Sequence, residues 1–83
     1  LDVRTVGEFS RGHLRGATNI PIDDLRNRLA EVPKDRRVAV HCKGGFRGHL
    51  AMRVLKSNGF TDVVNVTGGW SSMLAEGGFN VVK

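Results

Sequence analysis

Apolar residues in this chain fall into short clusters divided by glycine, proline and charged positions, and the spacing within each cluster predicts its element. Val38, Ala39 and Val40, between Arg37 and His41, form the short apolar run of a buried strand, and Val63, Val64 and Val66 form a second. Between them Leu50, Ala51, Val54 and Leu55 recur at helical spacing with Arg53 and Lys56 outside, which predicts a helix over residues 48–58. Gly59 ends that helix in a left-handed conformation, and Phe60 folds back on the last turn as in a Schellman cap. Residues 37–66 therefore read as strand, helix and strand with a right-handed crossover, so the sheet is parallel there.

The flanks carry weaker patterns. Leu1-Asp2-Val3-Arg4 reads as the end of a buried strand, and Thr5 with Glu8 has capping-box spacing ahead of a short helix ending near Arg11-Gly12. Residues 12–21 hold too much glycine for a helix, with Ala17 to Ile20 as a brief strand. Asp23 is expected to cap a helix in which Leu25, Leu29 and Val32 share one face and which Pro33 stops. A last helix is expected from Ser71 to Glu76, closed by Gly77-Gly78, with Phe79 to Val82 extended.

Composition narrows the function classes. The 83 residues, 40% hydrophobic and 25% charged, suit one folded α/β domain near the size at which a single core just suffices. No apolar run approaches the ~20 residues of a membrane span, and no leader is seen, so no membrane partner is expected. One cysteine makes no internal disulfide and fits a reducing compartment, with the cytoplasm as the expected location. The net charge of +5 comes from scattered arginines without aromatic interleaving, which argues against nucleic acid and for small anions drawn to a cleft. His13, His41 and His49 lack ligand spacing, so no metal is assigned. No P-loop and no dinucleotide glycine signature occurs, so no cofactor is expected within this chain.

Candidate chemistry centres on Cys42, at the carboxyl end of one strand and just before a helix, where open α/β sheets bind ligands. A lone cysteine is often only a small buried hydrophobe. Here Gly44 and Gly45 let the backbone curl with its amides inward, the helix start adds a positive dipole end, and Lys43 and Arg47 add charge. A thiolate held there is stabilised, which favours a reactive Cys42. His13 reads as a structural residue tying down a loop. Trp70 stands either near the cleft or in the core, the core being favoured.

Three segments resemble the rhodanese (sulfurtransferase) domain family. Asp2-Val3-Arg4 with Glu8-Phe9 is similar to its first signature. Gly12-His13-Leu14, Gly16-Ala17 and Asn19-Ile20-Pro21 look like its second, and Cys42-Lys43-Gly44-Gly45-Phe46-Arg47 matches its active loop; Gly68-Gly69-Trp70 resembles the family's closing motif. The resemblance implies a three-layer α/β domain with a mainly parallel central sheet between helices, and a cysteine that carries sulfane sulfur as a persulfide. Cys42 is then nucleophile and carrier, Arg47 helps hold the anionic donor, and Lys43, Gly44, Gly45, Phe46 and Gly48 form the substrate cradle. The implied partners are a small anionic sulfur donor and a thiol or cyanide acceptor; a docking or redox-sensing module is the alternative.

Family domains usually begin with a strand and a helix ahead of the Asp-x-Arg signature, which this chain lacks, so residues 1–83 are expected to be one trimmed domain. Arg47 to Ala51 and Ser57 to Phe60 are similar to the module fused to flavin-dependent coenzyme A-disulfide or persulfide reductases. FAD is implied only for such a fused or partner reductase domain. The loop is also similar to that of cysteine phosphatases, but those place five residues between cysteine and arginine. Here there are four. A cradle one residue tighter fits a sulfur on Cys42 rather than a phosphoryl group, and no aspartate follows as an obvious general acid.

Overall fold

The computed structural model of the chain describes residues 1–77 and 81–82. In chain order the elements are α1 (Val6–Ser10), β1 (His13–Leu14), two 3-10 helices (Ile22–Asn27 and Leu29–Glu31), β2 (Val38–Val40), α2 (Phe46–Ser57), β3 (Val63–Asn65), α3 (Gly69–Glu76) and β4 (Val81–Val82).

β2 pairs in parallel with β3, Val38 opposite Val63 and Val40 opposite Asn65, which is the expected crossover unit. On the other side of β2 lie residues 1–3. His41 N donates to Leu1 O at 2.9 Å and Val3 N to His41 O at 3.0 Å. Residues 18–20 follow, with Asp2 N on Thr18 O at 2.8 Å and Ile20 N on Asp2 O at 3.0 Å. Both sets of contacts are parallel, so the sheet reads 18–20, 1–3, β2, β3. Within β2 Val38 and Val40 are buried while Ala39 is exposed, as the two-residue period of a strand requires. Val3, Ile20, Leu25, Val40, Ala51 and Leu55 are fully buried and form the centre of the core.

Both capping motifs form as expected. Thr5 accepts from Glu8 N at 3.2 Å while Glu8 accepts from Thr5 N at 3.0 Å. At the far end of α2, Phe60 N donates to Leu55 O at 3.1 Å and Gly59 N to Lys56 O at 3.5 Å, the two bonds of a Schellman motif. Phe60 is buried beneath it.

Four expectations are corrected. The segment after Pro21 is not an α-helix capped by Asp23: Asp23 lies inside the first turn of a 3-10 helix whose N-cap is Pro21, without a side-chain cap. Arg28, at φ −128°, separates the two 3-10 turns, so Leu25 and Val32 reach the core from short i→i+3 turns. The strand expected over Ala17 to Ile20 shortens to residues 18–20, bridged at Asn19, and the region also holds an unexpected ladder of β1 antiparallel to β4. Leu50, expected on the buried face of α2, is 36% exposed, and Gly48 takes a buried position instead. α3 begins at Gly69 rather than Ser71. Gly78 and Phe79 lie outside the described residues.

Burial separates two leucines on one helix. Leu55→Ala is expected to cost about 2–5 kcal/mol, seen as a lower urea midpoint with unchanged slope. Leu50→Ala is expected to cost less than about 1 kcal/mol; equal losses would contradict the placement of Leu50.

Candidate active site

His41 continues the line of β2 by pairing with residues 1–3, and Cys42 emerges at its carboxyl end with 1% of its surface exposed. In the loop that follows, the first two carbonyls are held on one side. Cys42 O accepts from Trp70 N at 2.6 Å and Lys43 O from Ser71 N at 3.0 Å, both from the first turn of α3. Those bonds turn the carbonyls toward α3. On the other side, Gly45 N donates to Cys42 Sγ at 3.0 Å. Among the described residues the amides of Lys43, Gly44, Phe46, Arg47 and Gly48 have no protein acceptor and remain available to an anion.

Two glycines make this arrangement possible by close approach. A Cβ on Gly69 would overlap Cys42 O and lie 3.0 Å from the carbonyl carbon of Lys43, so a side chain there would push α3 off the loop. A Cβ on Gly48 would overlap Asn65 Oδ1. Asn65 in turn donates from Nδ2 to Gly45 O at 3.3 Å, tying β3 to the N-cap of α2. Its Oδ1 is buried without a partner.

Arg47 is not turned to solvent. Its Nη1 donates to Glu8 Oε1 at 2.7 Å and its Nη2 to Glu8 Oε2 at 3.1 Å, a bidentate pair joining α2 to α1. The Arg47 hydrogen bonds, working against burial, hold the Glu8 carboxyl down at about 2 from its ordinary 4.5. The role implied for Arg47 as a holder of the anionic donor thus meets a guanidinium already engaged by a carboxylate.

A second ion pair lies deeper. Arg4 donates from Nε to Asp2 Oδ1 at 3.0 Å and from Nη2 to Asp2 Oδ2 at 2.8 Å, and Nη2 also reaches Gly12 O at 2.8 Å. Burial pushes the Asp2 carboxyl up, but the nearby His41 and the Arg4 hydrogen bonds outweigh it and hold the carboxyl well below the usual range. His41 Nε2 lies 3.3 Å from Asp2 Oδ2, poorly aligned for a hydrogen bond, and is buried without another partner. The Arg4 guanidinium lies 4.3 Å from the centre of the Trp70 ring, a cation–π contact.

Trp70 is therefore no core residue. It is half-buried and, with Arg4, Glu8, Arg11, Gly12 and Lys43, lines a cleft of about 200 Å³ beside the cysteine loop. Lys43 and Gly44 are exposed, and the Phe46 side chain is 74% exposed. His13 has the expected structural role, with Nδ1 2.9 Å from Phe9 O and its ring stacked on Phe9. Sequence reasoning missed the pairing of Glu8 with Arg47, for which a separation of 39 positions leaves no periodic signal. Placing Gly68-Gly69-Trp70 at the same sheet edge as Cys42 was the one signal for Trp70. Among the described residues no group of three or more His, Cys, Asp or Glu side chains could hold a metal ion. Among the described residues no helix is long and apolar enough to cross a membrane.

The comparisons agree with this geometry. A rhodanese-like domain model matches residues 1–76, and the chain belongs to that family. It is 35% identical over 69 residues to a sulfurtransferase of Allochromatium vinosum, covering 83% of this chain and 64% of that protein. Among solved structures, a rhodanese-related protein from Thermoplasma volcanium is 36% identical with a TM-score of 0.90, over 99% of this chain and 80% of that one. The reduced CoADR-RHD of Bacillus anthracis is 40% identical with a TM-score of 0.83, over 99% of this chain but 14% of that one. The chain spans less than two thirds of the length of the first curated relatives it matches.

The Glu8–Arg47 pair has a stated pH dependence. Because the Glu8 carboxyl is lowered on folding, its contribution is full above about 4.5 and is lost as pH falls through about 2. Glu8→Gln is expected to cost about 1–2 kcal/mol at neutral pH and to flatten the acid limb of the stability profile. An unchanged acid limb would show that the pair does not form in solution.

Proposed function

We propose that the domain is a sulfurtransferase in which Cys42 carries sulfane sulfur as a persulfide between a small anionic donor and a thiol or cyanide acceptor. The observation that carries this reading is the Gly45 N–H donated to Cys42 Sγ at 3.0 Å, inside a loop whose remaining amides are unpaired. Such a ring stabilises negative charge on the inner sulfur in its thiolate form, so no general base is required to start the reaction.

With thiosulfate as donor, the Cys42 thiolate attacks the outer sulfur. The new S–S bond forms as the old one breaks, and sulfite leaves with the electron pair. The acceptor thiolate then attacks the outer sulfur of the Cys42 persulfide, and Cys42 leaves as thiolate. No oxidant or reductant enters. Arg47, held by Glu8, acts in this reading as a positioning residue that fixes the start of α2 and hence the amides around the sulfur. In this reading any flavin would belong to a neighbouring domain, and the match to one segment of the longer CoADR-RHD chain supports a place for such a module within a larger protein. A docking or redox-sensing role is the competing reading, and retention of the cysteine in a loop of free amides speaks for transfer.

Incubation with thiosulfate is expected to add about 32 Da to Cys42 by mass spectrometry, a persulfide. Cyanide-dependent thiocyanate formation is expected to vanish in Cys42→Ser. An inert wild type with every sulfane donor favours docking. The same chain is expected not to hydrolyse p-nitrophenyl phosphate, because the loop is too tight for a phosphoryl group in line with the sulfur. Hydrolysis that disappears in Cys42→Ser would overturn the substrate class. Inserting one residue between Gly45 and Phe46 moves the Gly45 amide off the sulfur and is expected to lower transfer.

A further inference from the structure

Charge in the cleft beside Cys42 does not cancel. Of its ionic side chains, Arg4 is matched by Asp2 and Glu8 by Arg47. Arg11 and Lys43 remain, both exposed, and among the described residues neither has a carboxylate within ion-pair distance. Arg4 is 3% exposed and held by Asp2 and Gly12 O, so its guanidinium backs the Trp70 ring. Two cationic groups outside any ion pair among the described residues, Arg11 and Lys43, thus share the cleft with the Trp70 ring. Lys43 is covalently joined to Cys42, and Trp70 N is bonded to Cys42 O, so two residues of the cleft wall are attached directly to the cysteine loop.

Size and chemistry then restrict the occupant. About 200 Å³ is smaller than the roughly 300 Å³ at which pockets begin to suit drug-sized ligands, and corresponds to about seven waters. An anion of a few heavy atoms with a short apolar stem fits such a space, the stem against the indole and the anionic end between Arg11 and Lys43. Guanidinium groups match a planar carboxylate in particular.

We propose that this cleft is the acceptor subsite, and that it selects low-molecular-weight thiols bearing a carboxylate over neutral thiols. The proposal rests on the sulfurtransferase reading for the identity of the ligand as an acceptor. The carboxylate docks on Arg11 and Lys43, and the thiolate end reaches the outer sulfur of the Cys42 persulfide. That S–S bond breaks as the acceptor's own S–S bond forms, and any proton on the outer sulfur leaves with the product.

Trp70, the only tryptophan in the chain, reports occupancy without turnover. Fluorescence of the protein is titrated with 3-(methylthio)propionate, an unreactive acidic analogue, with 2-(methylthio)ethanol as its neutral counterpart, and with sulfate. A saturable change with the acid alone, about tenfold weaker in Arg11→Gln, is expected. In turnover with thiosulfate, the ratio of kcat/KM for 3-mercaptopropionate to that for 2-mercaptoethanol is expected to exceed one and to fall about tenfold in the same variant. Equal responses to acid and alcohol, or acid selectivity unchanged in Arg11→Gln, would overturn the subsite. A response to sulfate as strong as to the acid would also overturn it, because the cleft would then hold the donor's inorganic end. Persulfide formation on Cys42 is measured separately. Its absence beside an intact acid response rejects the sulfurtransferase reading and not the acid-selective binding.

Discussion

Two amide groups at the first turn of α3 hold the carbonyls of Cys42 and Lys43, and the orientation of the loop follows from those bonds. A peptide plane with its carbonyl fixed on one side has its amide fixed on the other. The amides of Lys43 and Gly44 are thereby turned away from α3, while that of Gly45 meets the sulfur. Gly69 is the condition for it, since α3 could not come within bonding range of Cys42 O with a side chain at that position. The contact shown at the sulfur is thus made by backbone rather than by a charged side chain.

The two ion pairs have different depths and different consequences. Asp2–Arg4 is almost wholly buried and fixes residues 1–3 against Gly12 and Trp70, so its loss would leave a charge without a partner in a dry place. Glu8–Arg47 is partly open to water and joins α1, which has no buried residue of its own, to the helix behind the cysteine. Each pair neutralises itself, so the net charge of +5 resides in side chains outside both pairs.

What was legible in the sequence was local. The valines of β2 and β3, the periodicity of α2, the Thr5–Glu8 capping box and the Gly59-Phe60 stop each have a signature within a few residues, and each forms. Leu25, Leu29 and Val32 misled because one α-helix and two 3-10 turns bring the same three positions inward, and spacing does not separate them. β1 was missed because His13 and Leu14 become a strand only through Val82 and Val81, far along the chain. The placement of Cys42 after a strand, with Gly45 at the start of the next helix, was also legible. The engagement of Arg47 by Glu8, and the move of Trp70 from core to cleft wall, depend on tertiary contacts that no short window contains.

Burial of Cys42 has a consequence for the behaviour of the protein under oxidation. A disulfide needs two sulfurs about 2.05 Å apart with their β-carbons about 3.8 Å apart. A sulfur that is 1% exposed at the bottom of a loop cannot be brought that close to its counterpart in another copy while both loops stay folded. A small molecule can reach into the loop where a second domain cannot. The only thiol in the chain is thus shielded from covalent pairing between copies, and samples left in air are expected to stay monomeric on non-reducing gels.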